Sequence, residues 1–157
     1  MILYRDVNRD SESELRFIAD HDSRVPLDFD PEYRVTEASI QDRMKFYRRV
    51  VKAGDFFLAA VSEYTVVGFH LIIKRAHPPD LFAGDIIALW TDPNYRGRGI
   101  ATELKRRGES WALGSEITYL FTGVHPMNAA MLAINSREGF VTNQLNMRKT
   151  VFRRGNM

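Results

Sequence analysis

The sequence predicts a mixed α+β fold of one domain, residues 1–157, with elements in the order β-α-α-β-β-β-α-β-α-β-β. Three observations carry this. Short apolar runs rich in β-branched and aromatic residues recur between turn signals, notably Phe56 to Val61, Val66 to Lys74, Asp85 to Trp90 and Ile117 to Gly123. Between and around them lie stretches whose apolar residues fall at helical spacing. A chain of 157 residues is long enough to bury roughly two-thirds of its unfolded surface in one core.

Local residues argue for each element in turn. Ile2 to Val7 forms a first strand, and Asp10 or Ser11 then caps a helix carrying Leu15, Phe17, Ile18 and Ala19. A second helix runs roughly from Thr36 to Lys52 on Ile40, Met44, Tyr47 and Val51, with Gly54 as its stop. Phe56 to Val61 and Val66 to Lys74 make a hairpin around Ser62, Glu63 and Tyr64, and His77-Pro78-Pro79-Asp80 breaks the chain before the next strand. Ile100, Ala101, Leu104, Gly108, Trp111 and Ala112 mark one helix face, with Lys105, Arg106, Arg107 and Glu109 on the other. A strand from Ile117 to Gly123, a helix from Asn128 to Glu138, and short strands near Val141 and from Met147 to Phe152 complete the order.

The stretch Asp92-Pro93-Asn94-Tyr95-Arg96-Gly97-Arg98-Gly99-Ile100-Ala101-Thr102 joins the Asp85 strand to the amphipathic helix. Gly97 and Gly99 let the backbone approach a ligand, and amides at the helix start point outward with the positive end of the macrodipole behind them. Arg96 and Arg98 add charge-assisted donors, so residues 96–102 suit a diphosphate. A nucleoside-triphosphate P-loop would need Gly-Lys-Ser/Thr after the glycines, and a dinucleotide fingerprint a third glycine; neither is present.

Arg96-Gly97-Arg98-Gly99-Ile100-Ala101 resembles the acyl-CoA signature of the GNAT acetyltransferase superfamily, Arg/Gln-x-x-Gly-x-Gly/Ala. Asn128 to Phe140 is similar to the later motif of that family, an Asn-led helix closing in Gly-Phe. The resemblance covers roughly residues 56 to 152 and implies a single mixed, mostly antiparallel sheet with helices on both faces. It implies acetyl-CoA as acyl donor and a primary amine of a small molecule or peptide as acceptor. It further implies that a backbone N–H among Leu89, Trp90 and Thr91 polarises the thioester carbonyl. Asp85, the only carboxylate within that strand, is the candidate general base, with Glu63, Asp80 or a water chain as alternatives. Many members carry a tyrosine as acid four residues before the Gly-Phe pair; here the position is Asn135, which can solvate a departing thiolate without protonating it. Asn128, Met131 and Asn135 are spaced i, i+3 and i+7 and share a helix face suited to the CoA arm. Trp90 suggests a short acyl pocket, Lys105-Arg106-Arg107 is a solvated helix face or a contact for the adenosine 3′-phosphate, and a homodimer is a frequent family arrangement.

Composition bounds the rest. Zero cysteines exclude disulfides, thiolate zinc sites and a cysteine nucleophile. His21, His70, His77 and His125 show no metal-ligand spacing with carboxylates, so no metal is expected, and no nucleophile elbow is present. No segment reaches the ~20 apolar residues of a membrane span, and Met1 to Asp6 lacks a signal-peptide pattern; a cytoplasmic chain is expected, with no membrane partner. Twenty-two basic against 20 acidic residues, without stacked aromatics beside a basic groove, argue against nucleic acid. Residues 20–37 carry six carboxylates against two arginines, a local net of −4 that suits a cationic acceptor, with Phe29 and Tyr33 beside it. The alternative of another class is a non-catalytic acyl-CoA-binding or sensor module.

Overall fold

The computed structural model describes residues 1–151. The chain forms two compact units, Met1–Gly123 and Val124–Met157. In the first, β1 (Leu3–Asp6) leads into α1 (Glu12–Arg24), a 3-10 turn (Val25–Asp28) and α2 (Glu37–Arg49). Then come β2 (Phe56–Ser62), β3 (Thr65–Ala76), β4 (Phe82–Thr91), α3 (Ile100–Gly114) and β5 (Ile117–Thr122). The second holds α4 (Ala129–Arg137).

Capping explains where the helices begin. Of the two N-cap candidates, Ser11 caps α1, its hydroxyl accepting from the Glu14 N–H at 3.2 Å. Thr36 and Ser39 form a reciprocal capping box on α2. That helix ends at Arg49, one turn before Gly54, with Arg48 and Arg49 against the negative end of its dipole. The hairpin turn is Glu63-Tyr64 at φ 46° and 72°, the left-handed pair that matches the twist of the flanking strands. β3 and β4 run longer than their apolar cores because they extend each other, Ala76 pairing with Phe82 across the proline turn.

The sheet order is β1-β2-β3-β4-β5, antiparallel except for the parallel β4–β5 pair. Alternation along the strands builds two cores. Phe57, Ala59, Phe69, Leu71 and Ala88 pack with Leu15, Ile18 and Ala19 of α1 and Ile40, Met44 and Tyr47 of α2. On the other face Ala60 and Val67 pack with Ile100 and Leu104 of α3. Helices therefore cover both faces, as expected. Between α1 and α2 the Tyr47 hydroxyl donates to the buried Asp22 carboxylate at 2.7 Å, and Arg43 pairs with it at 3.1 Å. Burial nevertheless raises the Asp22 carboxyl above its usual range, outweighing the Arg43 charge.

The two final strands do not form as expected. Residues 140–151 make no strand, so the element near Val141 is absent and that from Met147 is absent through Val151; Phe152 lies outside the described residues. Val141, Leu145, Met147 and Val151 are exposed, so these residues bury no apolar face that would hold them in an extended register.

Candidate functional site

The site of the first unit is built where β4 parts from β5. β5 pairs with β4 only from Phe82 to Ile86, so Ile87 to Thr91 have β3 on one side and no strand on the other among the described residues. A bulge sits at the start of this free run. Leu71 pairs with Ala88 and Ile72 with Ile86, which leaves Ile87 as an extra residue in β4. His70 holds the bulge: its ring Nδ1–H donates to the Ala88 carbonyl at 2.8 Å, and burial lowers the imidazole to about 4, with Lys105 adding to the shift. Gly108 of α3 makes room for that ring, since a Cβ there would stand 3.1 Å from His70 Nε2 and 2.9 Å from Ile72 Cδ1.

Backbone direction follows from the ladder. The Asp92 N–H donates to Val67 O at 2.9 Å, so by alternation the Trp90 N–H also faces β3, while those of Leu89 and Thr91 face the open edge. The Trp90 side chain lies on the α1–α2 face, stacked on Phe69 at 5.3 Å. Thr91 Oγ1 is buried without a partner. An orphaned hydroxyl costs about 1–3 kcal/mol unless a ligand satisfies it.

Beyond β4 the Asp92 side chain accepts from the Asn94 N–H at 2.8 Å and turns the chain through a 3-10 turn, Pro93–Tyr95. Gly97 and Gly99 adopt φ of 75° and 78°, and a Cβ at either would point into open space. Gly99 is the N-cap of α3 and offers no side-chain cap, while the first bond of the helix is Glu103 N–H to Gly99 O at 3.0 Å. The N–H groups of Ile100, Ala101 and Thr102 are thus left for an external acceptor. The Ile100 side chain, buried against Leu104, Ala60 and Val67, fixes this terminus on the sheet. Arg98 lies over the Tyr95 ring at 4.8 Å, and neither Arg96 nor Arg98 pairs with a carboxylate among the described residues. Arg106 and Arg107 of the basic run both bind Glu103 at 2.8 Å, holding its carboxyl down at about 2.

Leu89 to Thr102 is therefore one continuous track: an open strand edge, a buried hydroxyl, two left-handed glycines, unpartnered helix amides and two cations. It suits a ligand with an extended amide arm and an anionic head. Asp85 shares the α1–α2 face with Trp90 but lies four residues before Leu89, roughly 13 Å along the strand, and pairs with Arg75 at 2.7 Å. Glu63 is a hairpin-turn residue, and Asp80 lies in the turn between β3 and β4. In the second unit Asn128 caps α4, its side chain accepting from the Met131 N–H at 3.2 Å; Asn135 is buried, and its carbonyl accepts from Phe140 N–H at 2.9 Å.

Thr91→Val tests the orphaned hydroxyl. It should stabilise the ligand-free protein by about 1 kcal/mol while weakening the bound ligand by about 1 kcal/mol, roughly fivefold, read by urea denaturation and calorimetry. Sequence reasoning named Thr91 for its backbone and overlooked its hydroxyl, the bulge at Ile87 and the His70 clamp. Only pairing register and burial reveal these.

The fold has counterparts among known proteins. No curated protein sequence matches the chain. Among solved structures, an acetyltransferase from Trypanosoma brucei superposes with a TM-score of 0.68 at 15% identity, covering 96% of this chain and 100% of that one. A predicted acetyltransferase from Clostridium acetobutylicum, solved with acetyl-CoA, gives 0.74 at 18% identity, covering 96% and 97%. An aminoglycoside acetyltransferase from an uncultured soil metagenomic sample gives 0.71 at 15%, covering 97% and 99%. At these identities the likeness is one of fold. The sequence itself matches the model of the acetyltransferase (GNAT) family over residues 15–140, and the chain belongs to that family.

Proposed function

We propose that this protein is an N-acetyltransferase that moves the acetyl group of acetyl-CoA to a primary amine of a small molecule or peptide by direct attack in a ternary complex. The observation that carries the reading is the pair of donor sets at the two ends of one segment, the Leu89 and Thr91 N–H groups on the β4 edge and the Ile100, Ala101 and Thr102 N–H groups at the start of α3. The N–H groups of residues 97–102 with Arg96 and Arg98 would hold the diphosphate. The open β4 edge would pair with the amides of the pantetheine arm as a strand would, and the Leu89 or Thr91 N–H would stabilise negative charge developing on the thioester oxygen. Trp90 would border the acetyl group. Asn128, Met131 and Asn135 would meet the CoA arm, and Asn135 would solvate the departing thiolate. Asp85 would serve as base only through intervening water, given its distance and its arginine partner.

A cationic acceptor is supported by the acidic segment 20–37, which runs from the end of α1 across the 3-10 turn to the start of α2. Within it Asp20, Asp22 and Glu37 pair with Arg24, Arg43 and Arg16. One structural neighbour is an aminoglycoside acetyltransferase, which makes polyamine-like cations the first class to screen.

A thermal titration with acetyl-CoA, joined to thiol release over an amine panel, tests the reading. At a hundredfold excess over Kd the ligand should add about 2.7 kcal/mol, a rise of roughly 5–10 °C. The absence of cysteine gives the thiol assay a clean background. A shift with amine-dependent release establishes the transferase. A shift without release points to a non-catalytic acyl-CoA-binding module, which Asn135 in the tyrosine position would favour, and no shift overturns the CoA assignment.

A further inference from the structure

His21 lies on α1 with its ring against Trp90 at 4.6 Å and stacked on Phe17 at 4.1 Å. Trp90 is the residue whose neighbours on either side, Leu89 and Thr91, present their N–H groups to the open β4 edge. The imidazole therefore stands on the α1–α2 face beside the point where an acyl carbonyl would be polarised. Its tautomer is fixed by chemistry. Nδ1 is 2.8 Å from the Phe17 carbonyl, which can only accept, so in the neutral ring Nδ1 carries the proton and Nε2 keeps its lone pair. Among the described residues Nε2 has no hydrogen-bond partner, and it is not a buried unpartnered atom.

The ionisable groups around α1 are largely engaged elsewhere. On α1 itself, Asp20 pairs with Arg24 and Asp22 with Arg43 of α2. From α2, Glu37 pairs with Arg16, and from β4, Asp85 pairs with Arg75. Asp28 stands on the 3-10 turn. Among the described residues none of these carboxylates hydrogen-bonds the His21 ring, which bonds the Phe17 carbonyl and lies against the Phe17 and Trp90 rings.

Resting on the acetyltransferase reading, we propose that His21 is the general base for the acceptor amine. Nε2 takes one proton from the ammonium and passes it to solvent. The freed nitrogen lone pair forms the bond to the acetyl carbon, and the carbon–sulfur bond breaks with its electron pair leaving on sulfur. The second nitrogen proton is then lost to give the neutral amide and ends on the CoA thiol. Asp85, roughly 13 Å along β4 and paired with Arg75, is the less direct route.

The test uses two acceptors, n-butylamine, which must lose a proton at neutral pH, and hydroxylamine, which is already unprotonated there. Thiol release is followed in His21→Ala and in the bulkier His21→Gln, with circular dichroism to confirm folding. At neutral pH the kcat/KM for n-butylamine should fall about a hundredfold or more, while hydroxylamine turnover changes by less than about tenfold. Added imidazole should restore part of the His21→Ala rate, and acetyl-CoA affinity by calorimetry should be unchanged. Equal losses for both acceptors, with no rescue by imidazole, would overturn the role and leave His21 as packing for Trp90. Failure of the wild type to release thiol with either amine would overturn the transferase reading itself, and is seen before any variant is made.

Discussion

Gly99→Glu should reduce acetyl-CoA affinity at least a hundredfold, about 2.7 kcal/mol or more, with the fold retained. Two effects act together. Gly99 sits at φ 78°, where a side chain costs about 1–2 kcal/mol of strain. The new carboxylate would also lie at the N-terminus of α3, where it competes for the Ile100, Ala101 and Thr102 amides and repels a diphosphate. The same carboxylate caps those amides in the ligand-free protein, which offsets part of the strain and keeps the helix formed. Gly99→Ala separates the effects, carrying the strain without the charge, and should lose less than about tenfold. Calorimetry is the measurement, and an undiminished affinity in Gly99→Glu would remove residues 96–102 from the binding site.

The second large effect is on stability against pH. His70 is 2% exposed, and its imidazole is lowered to about 4, so between about pH 6.5 and 4 the unfolded chain binds a proton that the folded protein refuses. The group's contribution is therefore full above the unfolded value and is lost as pH falls through this window, a change of about 3 kcal/mol. His70→Asn keeps a donor near the Ala88 carbonyl and removes the titration. It should be less stable at pH 7 by about 1–2 kcal/mol, because the ring is gone, but should lose about 3 kcal/mol less on going to pH 4. Glu37 and Glu103, each held near 2 by arginines, contribute stability that is lost mainly below about pH 4.5. Asp22, raised by burial, acts in the opposite sense, gaining stability as pH falls. Urea denaturation of both proteins from pH 7 to 4 isolates the imidazole, and parallel curves would show that His70 does not titrate in this way.

The legible and illegible parts of this protein divide along the range of the interactions involved. The sequence by itself determined the helices and their caps, because Ser11, Thr36, Ser39 and Gly99 act on backbone groups within a turn of themselves. It also determined the shape of residues 96–102, since left-handed glycines and helix amides are local features. The closing strands from Val141 show the converse: an apolar residue in a polar run has no strand to join unless a partner is brought to it. Tertiary structure alone decided that Ile87 bulges, that β5 stops opposite Ile86, and that Leu89 and Thr91, rather than Trp90, turn their amides to the open edge. Two histidines that looked alike in the sequence received different surroundings. His70 is sealed beneath α3 with Ala88, and His21 lies against Trp90 with Nε2 unengaged. The physical reason is that register and burial come from pairings well beyond a helical turn in sequence, such as Leu71 with Ala88, and a one-residue slip would exchange the faces.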